Sequence, residues 1–484
     1  MSIAFESHFW SFDENRFNYS DGDLSTHIYH PKQSAKLGSN IFRDYRQKWA
    51  EKRQEKQWRL PKTNKLRESL VEMNKLMNNY SILSMVTSLE ETLMLLADGT
   101  LVAMTLKGCD PDWVKLYKNV IPGLGSNEQV LSSAGSEDAI VSILSKSRLA
   151  IISDFERIAT RPPQAELVNV PSMPDNACVQ TRGNYSAIYW SERSEEGSAM
   201  GQLLILLHRG GRGVEINTRV RFDSLIQTIV FSTTKPNLMW CIEIPDPQKP
   251  STLKLTQFYV KEKGLKVFDS DDEFIVELSS SVITSQFSPN EEKILFGCSD
   301  NTLVILDTKT KSVECVQTTV RPVFLSWHPL NHFFIVTSRI GQAALFDVGL
   351  TQLEFVPIRE NAEFDKTEKL SIDKFYRPFT FVERLEWLSP TQCVIAAKSS
   401  PLVLLNFPFG VFAQGALGLV KEHVRLKRYQ AAIKVLYSIN WNTQASVAYA
   451  ALTTILDALL VLPLNYNRET YIENCLAAFY NPTR

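Results

Sequence analysis

The feature that most restricts what this chain can fold into is a repeat. Residues 282–310, VITSQFSPNEEKILFGCSDNTLVILDTKT, are followed by residues 322–350, PVFLSWHPLNHFFIVTSRIGQAALFDVGL. At an offset of 40, Phe287-Ser288-Pro289 falls over Trp327-His328-Pro329, and Asp307 falls over Asp347. Each unit reads as a strand, a Pro turn, a second strand, a polar turn and a third strand ending in Asp. A period of about 40–45 residues built this way is the mark of WD-type β-propeller blades, since one small sheet cannot bury its own faces and must stack on a neighbour. The Trp-Asp dipeptide itself is absent. A third copy, Leu385-Glu386-Trp387-Leu388-Ser389-Pro390, places its Trp 60 residues after Trp327, which predicts an insertion, assigned to the polar stretch 359–374. The aromatic is expected to wedge between blades, while Pro sets the turn leaving the inner strand.

Upstream, Leu93-Met94-Leu95-Leu96, Ala97-Asp98-Gly99-Thr100 and Leu101-Val102-Ala103-Met104 read as a hairpin around an Asp-Gly turn. Further apolar runs at 149–152, 203–207, 238–244 and 253–260 have no amphipathic helix between them, which argues for antiparallel sheets. Residues 81–409, at about 45 per blade, make about seven blades, with six or eight also compatible with the length. A β-sandwich of unrelated strand pairs is the competing arrangement. A strand at Phe9 to Phe12 is expected to close the last blade.

The two ends read differently. Residues 41–79 are charged, free of Gly and broken at Pro61, giving one helix capped by Asn40 and a second capped by Asn64. Leu66, Leu70, Met73 and Met77 make an apolar stripe on the second, which must pack on something. In the first, Phe42, Tyr45 and Trp49 begin a stripe that fades. Between Arg43 and Arg67 stand ten basic and three acidic residues, a balance of +7. The whole chain has 52 basic and 53 acidic residues, a net charge of −1, so the remainder carries −8. Arg43, Arg46, Lys48, Lys52, Arg53, Lys56 and Arg59 are therefore the candidate contacts for anionic lipid headgroups or an acidic partner. The alternative is a solvated face with Trp49 and Trp58 tucked against the propeller. No recognition fold for nucleic acid accompanies the charge.

After Phe409 the pattern becomes helical: 414–429, 430–441, 445–462 and 468–482. Leu417, Val420 and Val424 share a face of the first, and Ala432, Leu436 and Ile439 share a face of the second. Short helices with short turns begin an α-solenoid, and the apolar last one (Cys475, Leu476, Phe479) makes it look truncated. The expectation is a mainly β protein: an N-terminal strand and linker (1–40), basic and amphipathic helices (41–80), a WD-type β-propeller (81–409) and the start of an α-solenoid (410–484).

Catalytic and metal motifs are lacking. Arg209-Gly210-Gly211-Arg212-Gly213 does not follow the phosphate-cradle order and is expected to be a hairpin turn. His328 and His332 are four apart but separated by Pro329, so they share no helix face, and His328 is expected to be structural, bonded to a backbone carbonyl. Seven cysteines without a CxxC pair suit reduced thiols, not a disulfide framework. There is no signal-peptide pattern, and the longest apolar stretch, 451–462, contains Asp457 and is too short to span a bilayer. With 44% hydrophobic and 22% charged residues, the chain is expected to be a folded, soluble, intracellular, non-enzymatic protein that needs no cofactor.

The C-terminal run is specific enough to resemble a known family. Phe409-Gly410-Val411-Phe412, Gly415-Ala416-Leu417-Gly418-Leu419, the stretch AIKVLYSINWNT at 432–443 and AFYNPTR at 478–484 resemble the Fritz family of WD-repeat planar cell polarity effectors. His8-Phe9-Trp10-Ser11-Phe12 and Lys65-Leu66-Arg67-Glu68-Ser69-Leu70 are similar to its opening strand and amphipathic segment. The resemblance implies a scaffold subunit of a ciliogenesis and planar polarity effector complex, with Inturned and Fuzzy as partners and a Rab-type GTPase under its influence. It places the protein in the cytoplasm, at the cell cortex and at the cilium base, and implies no catalytic residues. A transport-train or coat-like propeller-solenoid subunit is the alternative suggested by fold analogy.

Overall fold

The computed structural model describes residues 2–3, 6–10, 28–29, 64–87, 91–107, 110–124, 128–145, 148–193, 199–208, 213–261, 264–267, 273–355, 357–358, 381–398, 402–406 and 411–480. Its strands form seven antiparallel blades around a common centre. Blade 1 spans 82–117, blade 2 130–169, blade 3 178–222, blade 4 225–277, blade 5 282–317, blade 6 324–355 and blade 7 382–406. The protein is a seven-bladed β-propeller with C-terminal helices, as the repeat predicted.

Burial explains the order of each blade. The second and third strands are sealed on both faces between neighbouring blades: Lys293–Cys298 and Thr302–Asp307 in blade 5 are almost continuously buried, as are Phe333–Thr337 and Ala343–Asp347 in blade 6. Outer strands such as Val313–Gln317 alternate and face water on one side. Consecutive blades share apolar layers, so Leu93, Leu95 and Leu101 of blade 1 pack with Ile140, Ala150 and Ile152 of blade 2.

Blade 7 supplies three strands from its own stretch and takes the fourth from the N-terminus. Glu6–Trp10 pairs antiparallel with Leu402–Asn406, Glu6 opposite Asn406 and Trp10 opposite Leu402. This strand begins three residues earlier and ends two residues earlier than the sequence suggested. Ser2–Ile3 adds in parallel to the outer strand of blade 6, and Ile28–Tyr29 bridges Glu6 to Pro357–Ile358. The ring is thereby tied between its first and last residues, which removes a free sheet edge.

Helix α1, Asn64–Asn79, lies against that seam. Its stripe of Leu66, Leu70, Met73 and Met77 is buried and packs on Met94, Leu96, Val102 and Met104 of blade 1 and on Val394, Ala396, Leu402 and Leu404 of blade 7. Each such side chain contributes about 1.5–3 kcal/mol relative to exposure.

Four helices follow: α2 (Val411–Arg425), α3 (Tyr429–Ser438), α4 (Ala445–Leu460) and α5 (Tyr466–Tyr480). Helix α2 starts earlier and ends earlier than expected. Gly415 breaks it with φ 58°, ψ −143°. Lys427 then takes the left-handed conformation, and the Arg428 N–H returns to the His423 carbonyl at 2.8 Å, which terminates the helix before Tyr429. The buried face of the array (Leu419, Val420, Ala432, Ile433, Leu436, Ile455) is continuous with the core of blade 6, so the helices dock on the propeller.

The helix expected after Asn40, the seven basic candidates from Arg43 to Arg59, Trp49, Trp58, the insertion at 359–374 and most of the Arg209–Gly213 turn lie outside the described residues. The strands flanking that turn, Ala199–His208 and Val214–Phe222, pair antiparallel.

Candidate interaction surfaces

The repeat motif residues gather at the contacts between blades. Phe287 and Trp327 end the first strands of blades 5 and 6, and Trp387 stands two residues before the end of the first strand of blade 7, Val382–Ser389. The Trp327 indole donates to the Gln286 carbonyl of blade 5 at 3.2 Å, and the Trp387 indole donates to the Ser326 carbonyl of blade 6 at 3.2 Å. Each Trp thus bonds the residue just before the aromatic of the preceding blade. Phe287 has no indole N–H and instead stacks on Trp240 of blade 4, with ring centroids 5.9 Å apart. At the ring closure Thr87 Oγ1 donates to the Trp387 carbonyl at 3.1 Å, and the Ile82 N–H donates to Glu383 at 2.8 Å.

Pro289 and Pro329 stand in matching turns, in which Glu291 and Asn331 adopt φ 62° and 63°. The Glu291 N–H donates to Ser288 and the Asn331 N–H to His328. In blade 7 the aromatic and Pro390 are one residue further apart, and the register shifts between Trp387 and Ser389: a β-bulge absorbs the extra residue. His328 lies edge-on to Trp387, 4.8 Å between centroids, and its Nε2 is 2.7 Å from the Pro390 carbonyl oxygen. Burial holds its pKa down at about 4.

The two repeat aspartates have different partners. Asp307 accepts from the Thr310 N–H at 2.8 Å and pairs with Lys293 at 3.2 Å. Burial raises its pKa, but Thr310 and the Lys293 ammonium outweigh that and hold the carboxyl below its usual value. Asp347 is fully buried beneath α2, where Oδ2 accepts from His423 Nε2 at 2.6 Å and Oδ1 accepts from the Thr351 N–H at 2.8 Å. Nearby, His332 Nδ1 lies 3.3 Å from Ser438 Oγ of α3. Burial, then the neighbouring His328, lowers the His332 pKa to about 3. Lys434 of α3 pairs with Glu314 on the outer strand of blade 5 at 2.8 Å. This polar junction was missed in the sequence. One signal was available there: the Lys293 position becomes Phe333 forty residues on, leaving Asp347 without its counterpart's cation.

On the first strand of blade 7, Arg384 donates to the carbonyls of Glu383 and of Leu83 in blade 1. Burial raises the pKa of Glu386 to about 7, with Arg384 drawing it back. Among the described residues no group of three or more His, Cys, Asp or Glu is placed to hold a metal ion. No described helix is long and apolar enough to cross a membrane.

Exposed apolar side chains stand at both ends of α5. Leu460 (60% exposed), Val461 and Leu464 lie at the α4–α5 turn, and Leu476, Phe479 and Tyr480 lie toward the C-terminal end of α5. Trp441 and Tyr480 flank Phe479, with centroids 5.8 and 5.3 Å away. Cys475 and Ala478 of α5 are buried in the array. Exposed apolar side chains grouped in this way mark surfaces suited to another protein.

A family model described as WD repeat-containing and planar cell polarity effector protein Fritz matches residues 178–484, well over half of the chain. The chain belongs to the Fritz family. The match begins at Cys178, the first residue of blade 3. Curated relatives named "WD repeat-containing and planar cell polarity effector protein fritz homolog" align with 99% of this Fritz-family chain. The Xenopus laevis protein is 23% identical, with 73% of its own length covered, and the Homo sapiens protein is 24% identical, with 69% covered. The name and the propeller point to protein partners.

Proposed function

We propose that this chain is a non-enzymatic scaffold subunit of a ciliogenesis and planar cell polarity effector complex that binds Inturned-like and Fuzzy-like proteins. Through them it supports regulation of a Rab-type small GTPase, cilium assembly and cell polarity, acting in the cytoplasm at the cell cortex and the cilium base. The observation that carries this reading is membership of a family of planar cell polarity effectors, on an architecture whose organised polar groups join blade to blade and blade to helix. The exposed apolar side chains at the two ends of α5 support it as protein-binding surfaces.

Co-expression with Inturned-like and Fuzzy-like proteins followed by size exclusion tests the proposal. Stoichiometric co-elution is expected, weakened by Leu464→Arg combined with Tyr480→Arg. Separate elution of the wild-type chain from both proteins overturns it. A second reading rests on the +7 balance between Arg43 and Arg67: this segment contacts an acidic partner or an anionic membrane. Reversing Arg46, Lys52, Arg53 and Lys56 to Glu is expected to reduce flotation with phosphoinositide vesicles, and unchanged flotation removes the membrane contact.

A further inference from the structure

In a propeller blade the strands alternate in direction. The turns joining second to third strands therefore lie on the same face as the crossings from one blade to the next. On that face blade 5 presents Asp300, blade 6 presents Arg339 and Ile340, and blade 7 presents Lys398. Arg321 stands in the crossing from blade 5 to blade 6, and Phe381 in the approach to blade 7. The three cations are exposed, and Ile340 and Phe381 are 52% and 37% exposed.

Backbone bonds hold these residues side by side. The Val323 N–H donates both to the Arg321 carbonyl at 3.0 Å and to the Thr337 carbonyl at 3.2 Å, which sets Arg321 beside the blade 6 turn. The Val382 N–H donates to the Arg339 carbonyl, and the Lys398 N–H to the Phe381 carbonyl, each at 2.9 Å. The Arg339 guanidinium lies over the Phe381 ring, 5.0 Å from its centroid. Three cations, in the crossing to blade 6, on blade 6 and on blade 7, thus stand on one face with an aromatic and an aliphatic side chain.

We propose that this face of blades 5 to 7 is a docking site for a short acidic segment of a partner protein, one with an apolar side chain among its carboxylates. Charge complementarity selects the occupant: the cations attract carboxylates, while Phe381 and Ile340 give contact area to a neighbouring apolar residue. Two features favour a peptide over a membrane. The Arg339 guanidinium lies over the Phe381 ring and occupies one of its faces. Carboxylates bound the patch on the same face, Asp300 on blade 5 and Asp98 on blade 1, which opposes a uniformly anionic plane but leaves room for a segment of limited length. The site is separate from the exposed apolar side chains of α5 and stands whether or not the complex proposed above forms.

The test is fluorescence anisotropy of the whole chain with a fluorescein-labelled nine-residue peptide of Asp and Glu carrying one central Phe. Saturable binding that weakens with salt is expected. Arg339→Glu with Lys398→Glu should weaken it about tenfold or more. Phe381→Ala should weaken it several-fold, and the same peptide with Asn and Gln in place of the acids should not bind. Arg219→Glu with Arg221→Glu, on the exposed outer strand of blade 3, should leave binding unchanged. Circular dichroism confirms that each variant is folded. Absence of saturable binding overturns the proposal, as does equal weakening by the blade 3 reversals. So does binding to phosphatidylserine vesicles that depends on Arg339 and Lys398 while the peptide does not bind.

Discussion

Blades 5 and 6 share the repeat at an offset of 40, and they are held by different means. Two of their turns match position by position, Glu291 with Asn331 and Asn301 with Gly341 all at positive φ, while the third is one residue shorter in blade 6, with Lys311 and Leu350 at positive φ. Their third strands both end in Asp. Yet Asp307 stays within its blade, half-buried and paired with Lys293, whereas Asp347 is sealed under α2 and paired with His423. His328 and His332 of blade 6 stand where blade 5 has Ser288 and Glu292. Blade 6 has exchanged self-sufficiency for a joint with the helical array. A repeated backbone can therefore keep its geometry while one surface is reassigned from solvent to a neighbouring element.

The largest consequence concerns the two aspartates. Asp347→Ala leaves a buried His423 without its acceptor and should cost about 3 kcal/mol, whereas Asp307→Ala, at a partly solvated pair, should cost about 1 kcal/mol. Urea unfolding of both variants measures the gap, and equal losses would break the comparison.

The histidines come next. Because folding depresses the His332 pKa from about 6.5 to about 3, the unfolded chain binds more protons between those values, and this group's contribution to stability is lost as pH falls below about 6.5. His328, at about 4, acts in the same direction. Glu386, raised to about 7, acts oppositely between about pH 4.5 and 7, so the informative quantity is a difference. Urea midpoints of the wild type and His332→Gln at pH 7 and pH 5 should show a smaller decline in the variant; parallel declines would show that blade 6 has no special acid sensitivity.

The smallest effect is expected at Lys434. Its pair with Glu314 ties α3 to blade 5 but is about a third exposed, so Lys434→Ala should cost about 0.5 kcal/mol. A loss rivalling that of Asp347→Ala would mean that blade 5 also carries the helical joint.

Much of the architecture was legible because its signals are local. The offset of 40 marked blades 5 and 6. The stripe of Leu66, Leu70, Met73 and Met77 marked a helix with one buried face, though not that its bed spans blades 1 and 7. The wedge role of Trp327 and Trp387 followed from their place in the repeat, but the indole bonds to Gln286 and Ser326 depend on how far each blade is rotated against the last. The shift from Trp-x-Pro to Trp-x-x-Pro was visible as one extra residue, and the backbone made it a bulge at Leu388. The interaction surfaces were less legible. Leu460 and Leu464 look like Leu452 and Leu459 in the sequence, yet the former are exposed and the latter buried or nearly so. Arg321, Arg339 and Lys398 are scattered among 52 basic residues until the blades set them on one face.

What the sequence by itself determined is the kind of part: a forty-residue blade, an amphipathic helix before the ring and short helices after it. Hydrophobic period and turn chemistry act over a few residues, where the covalent order already fixes the geometry. The tertiary structure decided which parts meet. Glu6 pairs with Asn406, Asp347 with His423, and three cations from the blade 5–6 crossing, blade 6 and blade 7 share one face, because such arrangements depend on ring closure and blade rotation. Identical residue types end up covered or exposed according to where the chain returns.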